Sequence, residues 1–255
     1  MTDVKNQKVI GVGNTAAVYE LDKGRVLKLF NKSYSKKTIE EEFKKAKAVN
    51  DLDFPKPKAH GLVFYHGQIG IVYDKVEGES LLDWLMRTGD VKGCAVYMAD
   101  LHKLILKNNI RTVPSYKEFL KANIIKGLPD NSKKLEELLK ILNKLPDDFT
   151  LCHGDFHPGN IFIDKGHTSV IDFANICHGP YLYDIARTVF LIEYTPLPKE
   201  VENKEGLLQL KKSLADLYLM EMDVSREEIK DYLLVIGEAR RGECPHEYYI
   251  CDLES

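Results

Sequence analysis

The chain has 255 residues, of which 44% are hydrophobic and 29% charged, and its formal net charge is -3 at pH 7. This composition is typical of a globular protein with one large domain or two lobes. The small net charge excludes a global attraction to nucleic acid or to an anionic membrane. Five scattered cysteines without a Cys-x-x-Cys pair favour a reducing compartment. Neither a signal peptide nor a membrane-spanning apolar run is visible, so we expect a cytoplasmic protein.

The first seventy-odd residues predict short strands around one helix. Five segments are rich in β-prone residues and are separated by turn residues, at 9–12, 17–21, 26–30, 62–65 and 69–73. Between the third and fourth segments, Thr38 and Glu41 predict a capping box at the start of an amphipathic helix. The last two segments flank a His-Gly-Gln turn and predict a hairpin.

After Gly78 the hydrophobic period becomes helical. Helices are predicted at 81–86, 91–107, from Ser115, at 133–145, 183–193, 207–222, and from Ser225 to about residue 240. We expect the only strands of this half at 161–163 and 168–172. The pattern predicts an α+β chain of two lobes, with a β-rich lobe at 1–76 and a mainly helical lobe at 77–255.

Two short segments of the helical half carry the main chemical signal. Residues 153–160 read His-Gly-Asp-Phe-His-Pro-Gly-Asn, and residues 170–173 read Val-Ile-Asp-Phe. Phosphoryl transfer uses a carboxylate to orient the attacking hydroxyl, and an amide with a second carboxylate to hold Mg²⁺ on nucleotide phosphates. Asp155, Asn160 and Asp172 supply these groups in that order. Each alone is compatible with a turn cap, but together they favour phosphoryl transfer.

A glycine-containing loop lies between the first two predicted strands. Gly11 and Gly13, followed by Asn14 and Thr15, precede a strand and not a helix. A dinucleotide-binding fingerprint needs a helix N-terminus at this point, so that reading is disfavoured. A hairpin folded over phosphates fits better, because glycines let backbone N–H groups approach oxygen atoms. An ordinary β-turn is the alternative.

A lysine and a glutamate complete the predicted nucleotide site. Lys28 lies among apolar residues of the third strand, where it either reaches the α- and β-phosphates or faces solvent. Glu42 shares a helix face with buried apolar positions and is a candidate partner for Lys28. Glu41 fits the helical phase less well. A solvated acidic helix start is the alternative for this Glu-Glu-Glu run.

Other polar residues near the motif allow further interpretations. His153 and His157, with nearby cysteines, match no standard zinc module and are interpreted as packing and hydrogen-bonding residues. Asp184 either braces the catalytic loop or caps an apolar helix. The terminal stretch 243–255 mixes acids with tyrosines. It either lines an acceptor pocket, where aromatic faces can bind cations, or is a surface end without a role.

These motifs resemble those of the aminoglycoside phosphotransferase and choline kinase family, and the similarity spans most of the chain. The resemblance implies a bilobal protein-kinase-like fold, with a small antiparallel N-lobe sheet, one helix, and a larger helical C-lobe. It implies that Lys28, paired with Glu42, positions phosphates. Backbone groups near Asp74 and Val76 would face the adenine.

The same resemblance implies that Asp155 is the catalytic base and that Asn160 and Asp172 bind Mg²⁺. The expected reaction moves the γ-phosphate of ATP, or alternatively of GTP, to a hydroxyl of an aminoglycoside, an amino-alcohol such as choline, or a sugar. A weakly catalytic nucleotide-binding regulator is an alternative. A protein kinase is disfavoured, since Gly154 replaces the usual arginine, Ala174 replaces the usual glycine, and no activation segment follows. Neither nucleic acid nor membrane is expected as a partner.

Overall fold

The computed structural model describes residues 7–13, 15–128, 133–197 and 202–247. Its N-terminal part is a five-stranded antiparallel sheet in the order β1-β2-β3-β5-β4. The strands are β1 (Val9–Val12), β2 (Ala16–Leu21), β3 (Arg25–Phe30), β4 (Ala59–Tyr65) and β5 (Gln68–Asp74). The predicted strands are therefore present. β4 and β5 are joined at His66 and Gly67, whose φ angles of 46° and 79° suit a tight hairpin.

One helix, α1 (Lys36–Ala48), lies between β3 and β4. Its buried face includes Ile39, Glu42 and Ala46, and it packs against the sheet. The predicted capping box at Thr38 is wrong. The helix begins three residues earlier, because the Ser35 hydroxyl oxygen accepts a hydrogen bond from the Thr38 backbone N–H at 3.1 Å.

The rest of the chain is mainly helical, which confirms the α+β prediction. Its helices are α2 (Leu81–Thr88), α3 (Val91–Leu106), α4 (Tyr116–Gly127), α5 (Lys133–Lys144), α6 (Tyr181–Glu193), α7 (Lys204–Met222) and α8 (Arg226–Glu243). The predicted caps at Ser80, Ser115 and Ser225 are confirmed, and the last forms a full capping box with Glu228.

Short strands in this helical part pair with one another and connect segments that are distant in the chain. They are β6 (Glu79–Ser80), β7 (Thr150–Cys152), β8 (Ile161–Asp164), β9 (His167–Val170) and β10 (Cys177–Gly179). The expectation of strands only in the β8–β9 region is therefore wrong. β7 pairs with β10 across 25 residues of chain, and β6 pairs with β8. Such two- and three-residue strands have no period of their own and exist through tertiary pairing.

Helix α6 lies at the centre of the helical part and packs against α7 and α8. Every residue from 183 to 192 is buried, as expected of a core helix that is surrounded by neighbours. At the α4–α8 contact the backbones approach closely, since a Cβ atom added at Gly242 would lie 2.0 Å from the Asn123 carbonyl oxygen. This contact sets the position of the C-terminal end of α8. Of the helices in the described ranges, none is long and apolar enough to span a bilayer.

Candidate active site

A cavity of about 680 Å³ lies where α1 and the sheet face the helical part of the chain. It is lined from the sheet side by Lys28 and Glu42 and from the helical side by Asp155 and Asp172. Residues that are more than 100 positions apart in the chain therefore share one cleft. Four of the charged residues that the sequence singled out meet there.

The β8–β9 hairpin brings Asn160 and Asp172 to the same place. Asn160 directly precedes β8, and Asp172 follows β9 by two residues. The strands are antiparallel with Ile161 opposite Val170, and the Ile171 N–H donates to the Asn160 carbonyl oxygen at 2.9 Å. Both side chains therefore leave the hairpin at its open end.

Asp155 determines the orientation of Asn160. The Asn160 Nδ2 amide donates to the Asp155 carbonyl oxygen at 2.9 Å and to the Asp155 Oδ2 atom at 3.1 Å. Both amide hydrogens are thus engaged, and Asn160 retains its Oδ1 atom as an acceptor. Asn160 also ends a short 3₁₀ turn, Pro158–Asn160, which is capped by the His157 ring. This turn carries the chain from Asp155 back toward β8.

Asp172 is held by a lysine from the opposite side of the cleft. Lys28 Nζ lies 3.1 Å from Asp172 Oδ2 and 2.9 Å from Glu42 Oε1. Glu42, and not Glu41, is therefore the partner that contacts Lys28. Asp172 has a φ of 68°, a left-handed conformation that is uncommon outside glycine and is concentrated at functional sites.

Lys28, Glu42 and Asp172 shift one another's pKa values through their charges. Burial alone would raise the pKa of Asp172, but the Lys28 ammonium and its hydrogen bond lower that pKa below its usual value. Burial alone would lower the pKa of Lys28, but Asp172 and Glu42 raise it. Burial raises the pKa of Glu42, against the opposing effect of Lys28. Lys28 therefore stays cationic and Asp172 anionic at neutral pH.

A buried carboxylate braces the loop that precedes Asp155. Asp184 accepts backbone hydrogen bonds from His153 at 2.6 Å and from Gly154 at 2.8 Å, and lies 2.9 Å from His102 Nε2. It is completely buried. The cap position of α6 is Pro180, so the bracing interpretation of Asp184 is confirmed and the capping interpretation is wrong.

Gly154 is required by the geometry of this loop. Its φ is 73°, and a Cβ atom added there would lie 2.3 Å from the Asn175 carbonyl oxygen. The arginine of the protein-kinase motif therefore has no room at this position. The loop before Asp155 passes directly against the segment that follows Asp172, and a side chain would separate them.

The donor chemistry of the cleft fits magnesium better than zinc. Asn160 and Asp172 offer oxygen atoms, which Mg²⁺ prefers, and Mg²⁺ needs few protein ligands. Burial lowers the pKa of His153 and of His157, so both rings are neutral at pH 7. The His153 ring contacts the Ile171 carbonyl oxygen at 3.2 Å. Across the described ranges, no group of three or more His, Cys, Asp or Glu side chains is placed to hold a metal ion.

The predicted glycine loop is the β1–β2 connection. Gly11 lies in β1, and the Gly13 N–H donates to the Ala16 carbonyl oxygen at 2.9 Å. Thr15 lines the cavity. Asn14, which was also assigned to this loop, lies outside the described residues. A hairpin, not a strand-to-helix turn, therefore borders the cleft at this point.

The predicted adenine-facing segment follows β5. Asp74 ends that strand, and its carboxylate accepts from the Lys58 N–H at 3.0 Å and lies 2.6 Å from His60 Nε2. The Asp74 side chain is thus engaged with the β4 side of the sheet. Val76 lies in the connection to β6. Neither residue lines the cavity, and the role of their backbone groups stays a prediction.

Lys45 and Arg240 are cleft residues that were missed in the sequence. Lys45 Nζ donates to the Ala174 carbonyl oxygen at 2.7 Å, which joins α1 to the segment after Asp172. Arg240, Glu243 and Glu247 line the cavity from the end of α8. The last two belong to the terminal stretch 243–255, so this part of the stretch lines the cleft, as one of its two interpretations expected. Residues 248–255 lie outside the described structure. Arg187 carried a usable signal, since it is the single basic residue of α6 and lies three positions after Asp184 among apolar residues.

Comparisons with known proteins agree with this architecture. The model of the phosphotransferase enzyme family matches residues 6–209. No curated protein matches the sequence. Among solved structures, the chain is similar to a thermostable mutant of aminoglycoside phosphotransferase APH(4)-Ia, with 17% identity, a TM-score of 0.66, and coverage of 94% of this chain and 87% of that chain.

Two further structures show the same likeness. An aminoglycoside-3'-phosphotransferase of type VIII has 17% identity, a TM-score of 0.61, and coverage of 93% of this chain and 94% of that chain. Aminoglycoside phosphotransferase APH(3'')-Id from Streptomyces rimosus, in complex with ADP and streptomycin, has 15% identity, a TM-score of 0.59 and the same coverage. Since the family model covers most of the chain, the protein belongs to the phosphotransferase enzyme family and is a small-molecule phosphotransferase with a protein-kinase-like fold.

Proposed function

We propose that this enzyme transfers the γ-phosphate of ATP, with Mg²⁺, to a hydroxyl group of a small molecule. The observation that carries the proposal is the meeting of Asp155, Asn160, Asp172 and Lys28 in one cleft between the sheet and the helical part. GTP is the alternative nucleotide. The lobe boundary between residues 76 and 77 falls in the connection from β5 to β6, which supports a nucleotide lobe followed by a catalytic lobe.

The nucleotide is held mainly from the sheet side. Lys28 binds the α- and β-phosphates, and Glu42 keeps its ammonium in position. The loop of Gly11, Gly13, Asn14 and Thr15 covers the phosphates with backbone N–H groups. Adenine lies against the backbone near Asp74 and Val76. In the sheet, antiparallel pairing of β3 with β2 and β5 places the lysine between the loop and this connection.

Asn160 Oδ1 and the Asp172 carboxylate are the proposed metal ligands. A bound Mg²⁺ would neutralise negative charge on the terminal phosphates. The lowered pKa of Asp172 keeps its carboxylate ionised, as a hard cation requires. Lys28 already contacts Asp172 across the cleft, so the triphosphate lies where the two sides of the cleft meet.

Asp155 is the proposed catalytic base. Its Oδ2 atom accepts from Asn160, and its side chain is about a quarter exposed, so it is accessible from the cavity. The carboxylate aligns the acceptor hydroxyl with the γ-phosphate and accepts its proton late in the transfer. The fixed loop before Asp155 holds the carboxylate in place before any substrate binds.

The acceptor is proposed to enter from the α8 side of the cleft. Two structural neighbours, both aminoglycoside phosphotransferases, hold hygromycin B or streptomycin, which makes aminoglycosides the first acceptors to test. Amino-alcohols such as choline are the second class. The free thiols of Cys94, Cys152, Cys177 and Cys244 support the proposed cytoplasmic location.

The test is ATP turnover with panels of aminoglycosides, amino-alcohols and sugars. Asp155→Ala should lower kcat by at least about 10²-fold, because base catalysis and hydroxyl alignment are both lost. Nucleotide binding, measured by calorimetry, should stay unchanged. Full activity of this variant would refute the base assignment. Tight nucleotide binding by the wild type without transfer to any acceptor would favour the regulatory alternative.

A further inference from the structure

A completely buried arginine connects the acceptor side of the cleft to the catalytic loop. Arg187 lies in the core helix α6, and its side chain has no solvent exposure. Its Nε atom donates to the Gly154 carbonyl oxygen at 3.1 Å. Gly154 directly precedes Asp155, so this bond acts on the peptide that positions the proposed base.

The other end of Arg187 contacts the wall of the cavity. Its Nη2 atom lies 2.6 Å and 2.9 Å from the two carboxylate oxygens of Glu243. Glu243 ends α8, lines the cavity, and also lies 3.1 Å from Arg240 Nη1. A chain of contacts therefore leads from a cavity-lining carboxylate, through a buried guanidinium, to the backbone of the catalytic loop.

A buried ion pair is energetically less favourable in a protein core than apolar side chains of the same size. Burying a charged pair costs desolvation energy that an apolar pair of similar volume avoids. The Arg187 Nη1 atom is also buried without a hydrogen-bond partner among the described residues, which adds a further cost. Phe119 packs against the guanidinium, with 5.4 Å from Cζ to the ring centroid. Such a costly group is explained if its hydrogen bond to the loop is needed for activity.

We infer that Arg187 and Glu243 are positioning residues for phosphoryl transfer, which fix the Gly154–Asp155 peptide from the acceptor side of the cleft. Asp184 holds the N–H groups of this loop, as described above, whereas Arg187 holds a carbonyl oxygen of the same loop. Asp184 and Arg187 thus fix both the N–H donors and a carbonyl acceptor of the same loop. The inference rests on the proposed role of Asp155. The experiment distinguishes a failure of that proposed role from a failure of the positioning role of Arg187 and Glu243.

The experiment compares three variants. Glu243→Gln removes the charge that pairs with Arg187. The double variant Arg187→Met with Glu243→Leu replaces the ion pair by apolar side chains and so avoids an unpaired buried charge. Glu238→Gln is the matched control. Glu238 lies on the same helix, but it pairs with Lys134 at 2.8 Å and with Arg241 at 3.5 Å, not with Arg187.

We expect Glu243→Gln and the double variant to lower kcat by about 10²-fold, because a base displaced by an ångström loses that much. Nucleotide affinity should stay unchanged in both, and Glu238→Gln should match the wild type. In the double variant, thermal stability should recover relative to Glu243→Gln while kcat does not. A double variant with wild-type kcat would show that the pair is only structural and overturn the inference.

Amide hydrogen exchange of the peptide 151–160 gives a readout that is independent of turnover. We expect faster exchange in Glu243→Gln and in the double variant, and unchanged exchange in Glu238→Gln. If the wild type transfers phosphate to no acceptor, the proposed function fails, and this exchange measurement still tests whether Arg187 holds the loop. Unchanged protection in the double variant would contradict the inference.

Discussion

At the scale of single residues, the site combines charged and polar groups that are partly or fully buried. Lys28, Glu42 and Asp172 form one set of opposite charges, and the Asp184 carboxylate, in contact with His102, lies beneath the catalytic loop. Each buried charge has an opposite charge or a backbone N–H group within hydrogen-bond distance. Removing one member leaves the other unpaired in a region of low dielectric, which is costly. Stability and activity are therefore coupled at these positions.

Asp184→Asn tests the brace beneath the loop. Burial alone would raise the pKa of Asp184, but its hydrogen bond with His102 and the backbone donors lower that pKa below the ordinary 3.8. A carboxyl group with a lowered pKa stabilises the fold above its unfolded-state pKa and loses this effect as pH falls through its folded-state pKa. We expect a loss of about 3 kcal/mol in unfolding free energy at pH 7. The loss should shrink below about pH 3.8.

Urea unfolding at several pH values measures this loss. Asp164→Asn, at the exposed end of β8, is the control and should change the unfolding free energy by less than about 0.5 kcal/mol. A pH-independent difference between Asp184→Asn and the wild type would contradict the assignment.

Gly154→Ala tests the close contact beside Asp155. Alanine at a positive φ costs about 1–2 kcal/mol at any position. Gly89 offers a matched control, because its φ of 70° is nearly the same and an added Cβ atom would meet no atom within 4 Å. We expect Gly154→Ala to be destabilised by about 1–3 kcal/mol more than Gly89→Ala, because of the clash with Asn175. If the two variants lost equal amounts of unfolding free energy, the loop at Gly154 would have moved away from Asn175 without an energetic penalty, contrary to this prediction.

At the scale of elements, α1 and the β8–β9 hairpin form the two sides of the cleft. Lys28 contacts Asp172, and Lys45 on α1 donates to the Ala174 carbonyl oxygen. Burial lowers the pKa of Lys45, and nearby acidic groups partly oppose this effect. The helix is thereby attached to the segment that carries the proposed metal ligand. Glu42 lies three residues before Lys45 on the same helix, so we expect the loss of this attachment to shift Glu42 relative to Lys28.

Lys45→Met should loosen α1 while keeping the apolar stem of the side chain. A hydrogen bond from a charged donor contributes about 1.5–3 kcal/mol. We expect about a tenfold lower kcat together with weaker nucleotide binding, since Glu42 and Lys28 shift with the helix. Lys44→Met, on the exposed side of α1, is the control and should behave as the wild type. Unchanged kinetics and nucleotide affinity in Lys45→Met would exclude a functional role for the attachment.

At the scale of the whole molecule, the nucleotide is expected to bind both sides of the cleft at once. A ligand that binds only the folded state stabilises it by about 2.7 kcal/mol at a concentration 100 times its Kd. We expect this shift with Mg²⁺ and a non-hydrolysable ATP analogue. Chelation of the metal, or Asp172→Ala, should abolish the metal-dependent part of the shift. A shift that persists fully in Asp172→Ala would contradict the assignment of Asp172 as a ligand. Asp164→Ala serves as the control.

The sequence by itself determined the order of elements and the type of chemistry. Hydrophobic periods are local, so the strands, the main helices and most caps could be predicted from neighbouring residues. The spacing of Asp155, Asn160 and Asp172 indicated phosphoryl transfer, and helical phase indicated Glu42 as the partner of Lys28. The boundary of α1 was misplaced because Ser35 and Thr38 both resemble caps, and only the backbone geometry separates them.

Only the tertiary structure decided which distant residues meet. The β7–β10 pair and the contacts of Lys45 with Ala174 and of Arg187 with Gly154 and Glu243 join segments 25 to 129 residues apart. Such pairings depend on how helices and sheet pack together, and no local period encodes them. The need for glycine at position 154 arises from its own positive φ and, in addition, from the backbone of Asn175, which only the fold brings next to it. The positions of catalytic groups are therefore decided by packing across the chain, whereas their chemical identities can be recognised from local sequence.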